Sequence, residues 1–224
     1  MKVVLLPVKE LAQAKRRMAP WLSRRERAGL VWAMLEDVGR ALASAKLADK
    51  VVVAGRDPEL AAYADRRRWD FIRERSQTSE SRSVDESAVA LRQQGATSVL
   101  RVPVDVPLIE GRDVDALLGR PLAAPAALLV PSRDGRGTNA LLRMPPDAFP
   151  SRFGRDSLRR HLAAARRARV DATVFSNPRF GLDLDGPEDL VRFWQGKGGA
   201  ATRSYLAGSG LAARLAGKGW GLHE

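Results

Sequence analysis

Short apolar runs recur along this chain, each followed by a longer stretch with helical spacing, and that alternation constrains the fold more than any other feature. "KVVLLPV" (2–8), "KVVVAG" (50–55), "SVLRVPV" (98–104) and "AALLVPS" (126–132) have little or no polar alternation, so each predicts a buried strand. Shorter strands are expected at 70–74, 171–176 and 180–185. Helices are expected at 23–45, 58–68, 83–95, 158–168 and 187–195. Ser23 with Glu26, and Ser83 with Glu86, have the spacing of capping boxes, and Gly95 reads as a helix stop. Strands alternating with helices imply an α/β fold: three α/β/α layers around a mostly parallel sheet. Ligands in such sheets sit beyond the carboxyl ends of the strands. The loops that matter are therefore 7–20, 75–83, 103–112, 131–138 and 183–186.

Composition narrows the function. Of 224 residues 45% are hydrophobic, enough for one cored domain, placed at 1–195. From Gly196 the chain turns Gly/Ala-rich, so 196–224 reads as a tail with one helix (about 203–216) or as disordered. Cysteine is absent, which removes disulfides, thiolate zinc sites and cysteine nucleophiles. The first apolar run is too short for a signal peptide or a membrane span, so a cytoplasmic protein without a membrane partner is expected. Lys and Arg exceed Asp and Glu by 38 to 26, a net +12, which suits an anionic partner or an arginine-rich genome. Arginine clusters at 24–27, 66–68 and 166–169 fall on separate helices without interleaved aromatics, so nucleic acid is not the expected partner. There is neither a phosphate-binding G-x-x-x-x-G-K-[ST] loop nor a dinucleotide G-x-G-x-x-G.

Four segments carry candidate chemistry. In "LPVKELAQAKRRMAP", Lys9 and Lys15 follow the end of the first strand; cations there suit a polyphosphate, or form a solvated basic loop. In "RVPVDVPLI", Asp105 follows a strand; it could hold Mg²⁺ or start the turn before Pro107. In "GLDLDGPEDL", Asp183 and Asp185 would leave the same face of an extended segment, where two carboxylates repel unless a cation separates them. Asp185 also reads as the start of a helix. In "VPSRDGRGTNALLRMPPDAFPSRFGRDSLRRH", the glycines at 135 and 137 with Thr138 could turn backbone amides toward an anion. Gly154 allows close approach to a ligand, and Ser157 starts a helix, as an anion site or a plain cap. His161 lies one turn further on, where a lone histidine is more often structural.

Together these segments resemble the 2-phospho-L-lactate guanylyltransferases of coenzyme F-420 biosynthesis and their phosphoenolpyruvate-using relatives, from residue 3 to about 195. The longest and most specific match is "DGRGTNALLRMPPDAFPSRFGRDSLRRHLAAA". The resemblance implies a nucleotidyltransferase (glycosyltransferase-A-like) fold. It also implies transfer of GMP from GTP to a small phosphorylated carboxylic acid, with pyrophosphate released. By the same resemblance Asp105, Asp183 and Asp185 would hold Mg²⁺, and Thr138, Gly154 and Ser157 the acid. Pro7, Val8, Lys9 and Lys15, with Asp85 and Glu86, would hold the nucleotide, and Lys9, Lys15 and Asp105 would be catalytic. A homodimer is compatible with it. The chain departs from the family at Val104, usually glycine, and in "ERSQTSESRSVDESAVAL", where a Gly-Leu-Asn pattern is expected. Such a loop could accompany another acid, for example 3-phosphoglycerate. Rival readings are a sugar- or molybdopterin-type nucleotidyltransferase, which usually carries a glycine-rich loop after the first strand, a basic nucleic-acid-binding protein, and an inactive homologue.

Overall fold

A computed structural model of the chain describes residues 1–9, 15–74 and 78–216. Its strands are β1 (Lys2–Pro7), β2 (Lys50–Gly55), β3 (Asp70–Arg73), β4 (Ser98–Arg101), β5 (Ala126–Pro131), β6 (Thr138–Met144) and β7 (Asp171–Val174). They form one sheet in the order β3-β2-β1-β4-β6-β5-β7. β1 pairs in parallel with β2 and β4, β2 with β3, and β5 with β7; β6 runs antiparallel to both β4 and β5. The mostly parallel α/β sheet expected from the sequence is thus present, with one reversed strand.

The helices are α1 (Arg24–Ser44), α2 (Pro58–Arg66), α3 (Glu80–Gln93), α4 (Gly111–Leu118), α5 (Ser157–Arg167), α6 (Pro178–Gly181), α7 (Pro187–Gln195), α8 (Ala200–Gly208) and α9 (Leu211–Ala216). Successive strand residues face opposite sides, which divides the core. Val4 and Leu6 pack in one cluster with residues of α1, α2, α4, α7 and α8. Val3 and Leu5 face α3 through Val84 and Leu91, and Leu129 and Leu141 meet α5 through Ala164 and Ala165. Each fully buried leucine contributes about 1.5–3 kcal/mol, which the parallel centre multiplies on both faces.

Ser23 caps α1 as expected: its Oγ accepts from Glu26 N at 3.2 Å, and its own N–H donates to Glu26 Oε2 at 2.8 Å. Other expectations need correction. α3 starts at Glu80, because Ser79 rather than Ser83 accepts the capping bond, from Arg82 N at 3.2 Å; Ser83 is buried inside the helix. β4 stops at Arg101, before Pro103. Residues 138–144, where no strand was expected, form β6, which fills the gap between β4 and β5. Residues 180–185 are not a strand: Asn177 Oδ1 accepts from Arg179 N and Phe180 N and nucleates α6 instead. α4 carried no sequence expectation.

After Gly196 the chain carries two helices, and α8 lies against α1. Asp37, 5% exposed on α1, accepts from Ala201 N at 2.9 Å and Thr202 N at 2.8 Å, satisfying amides at the start of α8. Tyr205 Oη donates to Glu26 O at 3.0 Å. The approach is close: a Cβ on Gly29 would stand 2.4 Å from that hydroxyl. Among the described residues no helix is long and apolar enough to cross a membrane.

Candidate active site

A cleft opens at the carboxyl ends of β1 and β4. Its wider lobe, about 590 Å³, lies over β6 and the start of α5; a second lobe, about 390 Å³, lies over β1 and α3. Asp105, Asp185, Arg101 and Glu80 border both.

The junction is built on Lys15. Its ammonium donates to Asp105 Oδ2 and to Asp185 Oδ1, each at 2.8 Å, with 7% of the side chain exposed. Burial alone would lower the lysine's pKa, but the charges and hydrogen bonds of the two aspartates outweigh it and raise it above the ordinary value. Burial likewise works against ionised Asp105, yet the Lys15 charge, its hydrogen bond and Arg101 hold the carboxyl below the usual range. Asp183 has no such cation. Its Oδ1 accepts from Asn139 Nδ2 at 3.0 Å, while burial first, then the charges of Asp105 and Asp185, push its pKa up to about 6. The three aspartates therefore do gather, although not on one extended segment. Among the described residues no three acidic groups converge into a ready-made ion cage; the Lys15 ammonium holds the place between two of them.

Thr138, Gly154 and Ser157 border the wider lobe. Gly154 has φ +104°, in the left-handed region, and its absent Cβ would meet nothing within 4 Å, so glycine is needed there for conformation rather than for space. The amides of the glycine turn are not free for an anion, contrary to expectation. Gly135 N donates to Ser132 O at 2.8 Å and Gly137 N to Ser132 Oγ at 2.7 Å. Hydroxyls and guanidinium groups remain: Thr138, Ser157, Arg17, Arg133, Arg136 and Arg155. Arg152 does not border the lobe; its amide bonds His161.

Pro7, Val8, Lys9 and Lys15 border the second lobe. Lys9 is 63% exposed and pairs with Glu80 at 3.5 Å. Asp85 and Glu86 border neither lobe. Because α3 begins at Glu80, its cleft-facing positions are Glu80 and Ser83. Asp85 instead accepts from the buried Arg143 at 2.8 Å and from Ser151 N at 2.9 Å, and Glu86 pairs with Arg82 at 2.6 Å on an exposed face.

Sequence reasoning missed Glu74, Glu80, Arg101 and Asn139. Arg101, 7% exposed, ends β4, pairs with Glu80 and stacks on Phe153 at 4.4 Å from the ring centre. Glu74 presents a buried Oε2 without a hydrogen-bond partner among the described residues, in a lobe whose apolar wall is Pro7, Val8, Val31 and Val104. Asn139 was visible beside Thr138, but its inward direction follows only from the strand.

Residues 1–216 match the family described as "Guanylyl transferase CofC like". The chain belongs to that family. Relatives within reach include the phosphoenolpyruvate guanylyltransferases of Rubrobacter xylanophilus, 38% identical over 91% of this chain and 98% of that protein, and Conexibacter woesei, 36% identical over 90% and 93%. The 2-phospho-L-lactate guanylyltransferase of Methanobrevibacter ruminantium is 30% identical over 92% and 91%. Among solved structures, a nucleotide-diphospho-sugar transferase from Desulfovibrio desulfuricans G20 superposes with a TM-score of 0.71 over 87% of this chain and 86% of that one, at 19% identity. CMP:2-keto-3-deoxy-manno-octonic acid synthetase complexed with CTP superposes with a TM-score of 0.60 over 86% and 96%, at 14% identity. The CofC-like chain therefore has the nucleotidyltransferase fold and is a transferase.

Proposed function

We propose that this CofC-like enzyme moves a guanylyl group from GTP to a small phosphorylated carboxylic acid and releases pyrophosphate. The observation that carries the reading is the pair of lobes meeting at Lys15, Asp105 and Asp185. The wider lobe, with hydroxyls and guanidinium groups, suits a small acid with a phosphate. The second lobe combines an apolar wall of Pro7, Val8, Val31 and Val104, which suits a base, with the cations Lys9, Lys15 and Arg17, which suit phosphates. Guanine offers N1–H and N2–H donors on one edge, and Glu74 offers the matching acceptor.

A phosphate oxygen of the acid attacks the α-phosphorus, the new P–O bond forms, and the bond from that phosphorus to the β-bridging oxygen breaks. The nucleophile is already an anion, so no general base is required. Catalysis then consists of alignment and charge neutralisation. Lys15, kept protonated by two aspartates, is a fixed cation where charge builds on the leaving pyrophosphate; Lys9 adds a second at the rim.

Three carboxylates of hard oxygen donors suit Mg²⁺, which is usually bound by one or two carboxylates together with substrate phosphates rather than by a complete protein cage. Asp105, Asp183 and Asp185 would hold the ion, and it would supply electrostatic activation of the α-phosphate.

The test is pyrophosphate release from GTP and Mg²⁺ with phosphoenolpyruvate, 2-phospho-L-lactate or 3-phosphoglycerate offered separately, with pyrophosphatase added to pull the reaction forward. Relatives with higher identity are named for phosphoenolpyruvate, so that acid comes first. Release that needs one acid, with a guanylylated product of the right mass, supports the reading and bears on a place in coenzyme F-420 assembly. GTP binding without release from any acid would reject it.

A further inference from the structure

His161 has no part in the phosphoryl chemistry, yet it is fully buried beside the acid lobe. Its Nε2 lies 2.7 Å from Arg152 N, and a backbone amide can only donate, so Nε2 carries no proton. In a neutral ring the proton then sits on Nδ1. Nδ1 is 3.0 Å from Thr138 Oγ1 and donates to it. Ser157 Oγ donates to the same oxygen at 3.2 Å. A threonine hydroxyl accepts at most two such bonds and donates one. With both accepting positions taken, the proton of Thr138 points away from His161 and Ser157, and Thr138 borders the acid lobe.

The ring is held in this state. Burial first, then Arg143, Arg101, Arg160 and Arg152, bring its pKa down to about 3. Phe153 meets it edge-on at 4.8 Å between ring centres and Phe149 at 6.5 Å. A protonated ring could not accept the Arg152 amide, so the chain of bonds needs the neutral form.

We propose that His161 is a positioning residue that fixes the Thr138 hydroxyl as a donor toward an anionic oxygen of the phosphoacid. This rests on the reading of the wider lobe as the acid site.

Steady-state kinetics on His161→Phe, His161→Gln, Thr138→Val and the Thr138→Val/His161→Phe double variant test it. His161→Phe should raise the KM of the acid about tenfold and leave the KM of GTP within about twofold, the scale of one misdirected hydrogen bond to a charged group. His161→Gln should restore much of the loss, since its amide can accept from Arg152 N and donate to Thr138. On the Thr138→Val background, His161→Phe should add less than about twofold, because its target is gone. Equal shifts in both KM values, or a full His161→Phe effect on that background, would overturn the assignment. Nitrogen NMR of the wild-type ring should show the Nδ1-protonated tautomer, still neutral at about pH 4.5. An Nε2-protonated ring, or a midpoint near the free value of about 6.5, would overturn it whatever the activity. Absence of turnover with every acid would reject the acid reading, while the ring spectrum would still decide whether His161 sets the Thr138 donor.

Discussion

The ammonium of Lys15 lies 2.8 Å from Asp105 Oδ2, and the two charges depend on each other. Lys15→Met would leave Asp105 without its counter-charge in a half-buried setting. It should cost about 3 kcal/mol in denaturant unfolding, the scale of a broken buried pair, and about 10²–10³ in turnover. The pKa of Lys15 is raised, so its stabilisation is complete below the free lysine value of about 10.4 and fades only as pH rises beyond its folded pKa. The pKa of Asp105 is lowered, so its share is complete above the free value of about 3.9 and fades as pH falls through its folded pKa. Without Lys15, burial is left to raise the pKa of Asp105 in the variant, so the stability gap between wild type and variant should be larger at neutral than at acid pH. A gap that does not grow as pH rises from acid to neutral would contradict the pairing.

Asp183 sets activity against stability. Its raised pKa means that between the free value near 3.9 and about 6 the folded state keeps a proton that the unfolded chain gives up. Wild-type stability should decline as pH rises through that window and stay lowered above it. Asp183→Asn should remove the decline and gain about 1–2 kcal/mol at pH 7 without Mg²⁺, a value discounted for partial exposure. The same variant should lose about 10²–10³ in turnover. Melting curves against pH beside rate assays would show it; normal turnover would rule out the metal role.

Glu74 should decide the base. Glu74→Gln should raise the KM of GTP about tenfold, since an amide offers one acceptor and a mismatched donor to the guanine edge. ATP turnover should not fall. Comparison of GTP, ITP and ATP checks this, because ITP lacks the N2 donors. Unchanged GTP selectivity would place the base elsewhere.

Asp37→Ala should free the start of α8 and cost about 1–2 kcal/mol, the size of a lost helix cap. It should leave kcat/KM within about twofold, because Asp37 borders neither lobe of the cleft. Unfolding and rate measurements on one preparation separate the two effects.

The parallel half of the sheet was legible because β1 and β2 are unbroken apolar runs and α1 opens on a capping box. β6 was not: its apolar centre, Ala140–Leu142, is short, and its glycine approach and proline exit resemble a loop. With β6 unseen, Asn139 could not be directed at Asp183, nor His161 at Thr138. The start of α3 was misread for a different reason: Ser83 has a glutamate three residues on and Ser79 does not, yet Ser79 accepts the capping bond. Asp85 and Glu86, which the resemblance assigned to the nucleotide, border neither lobe. Lys15, by contrast, was readable as a cation after the first strand, but its partners lie 90 and 170 residues away, a pairing that only the fold makes.

Because β6 runs against its neighbours, its first residue rather than its last opens onto the cleft. Apart from Arg17, the hydroxyls and guanidinium groups proposed to address the acid thus lie on one stretch, from Ser132 to His161, whereas Lys9, Lys15, Glu74 and Asp105 all precede it. On the proposed reading, the two substrate preferences would be carried largely on separate pieces of chain. Exchange of one hairpin and helix could retune the acceptor while the donor half is passed on unaltered, a route by which relatives named for different acids can diverge without rebuilding the sheet.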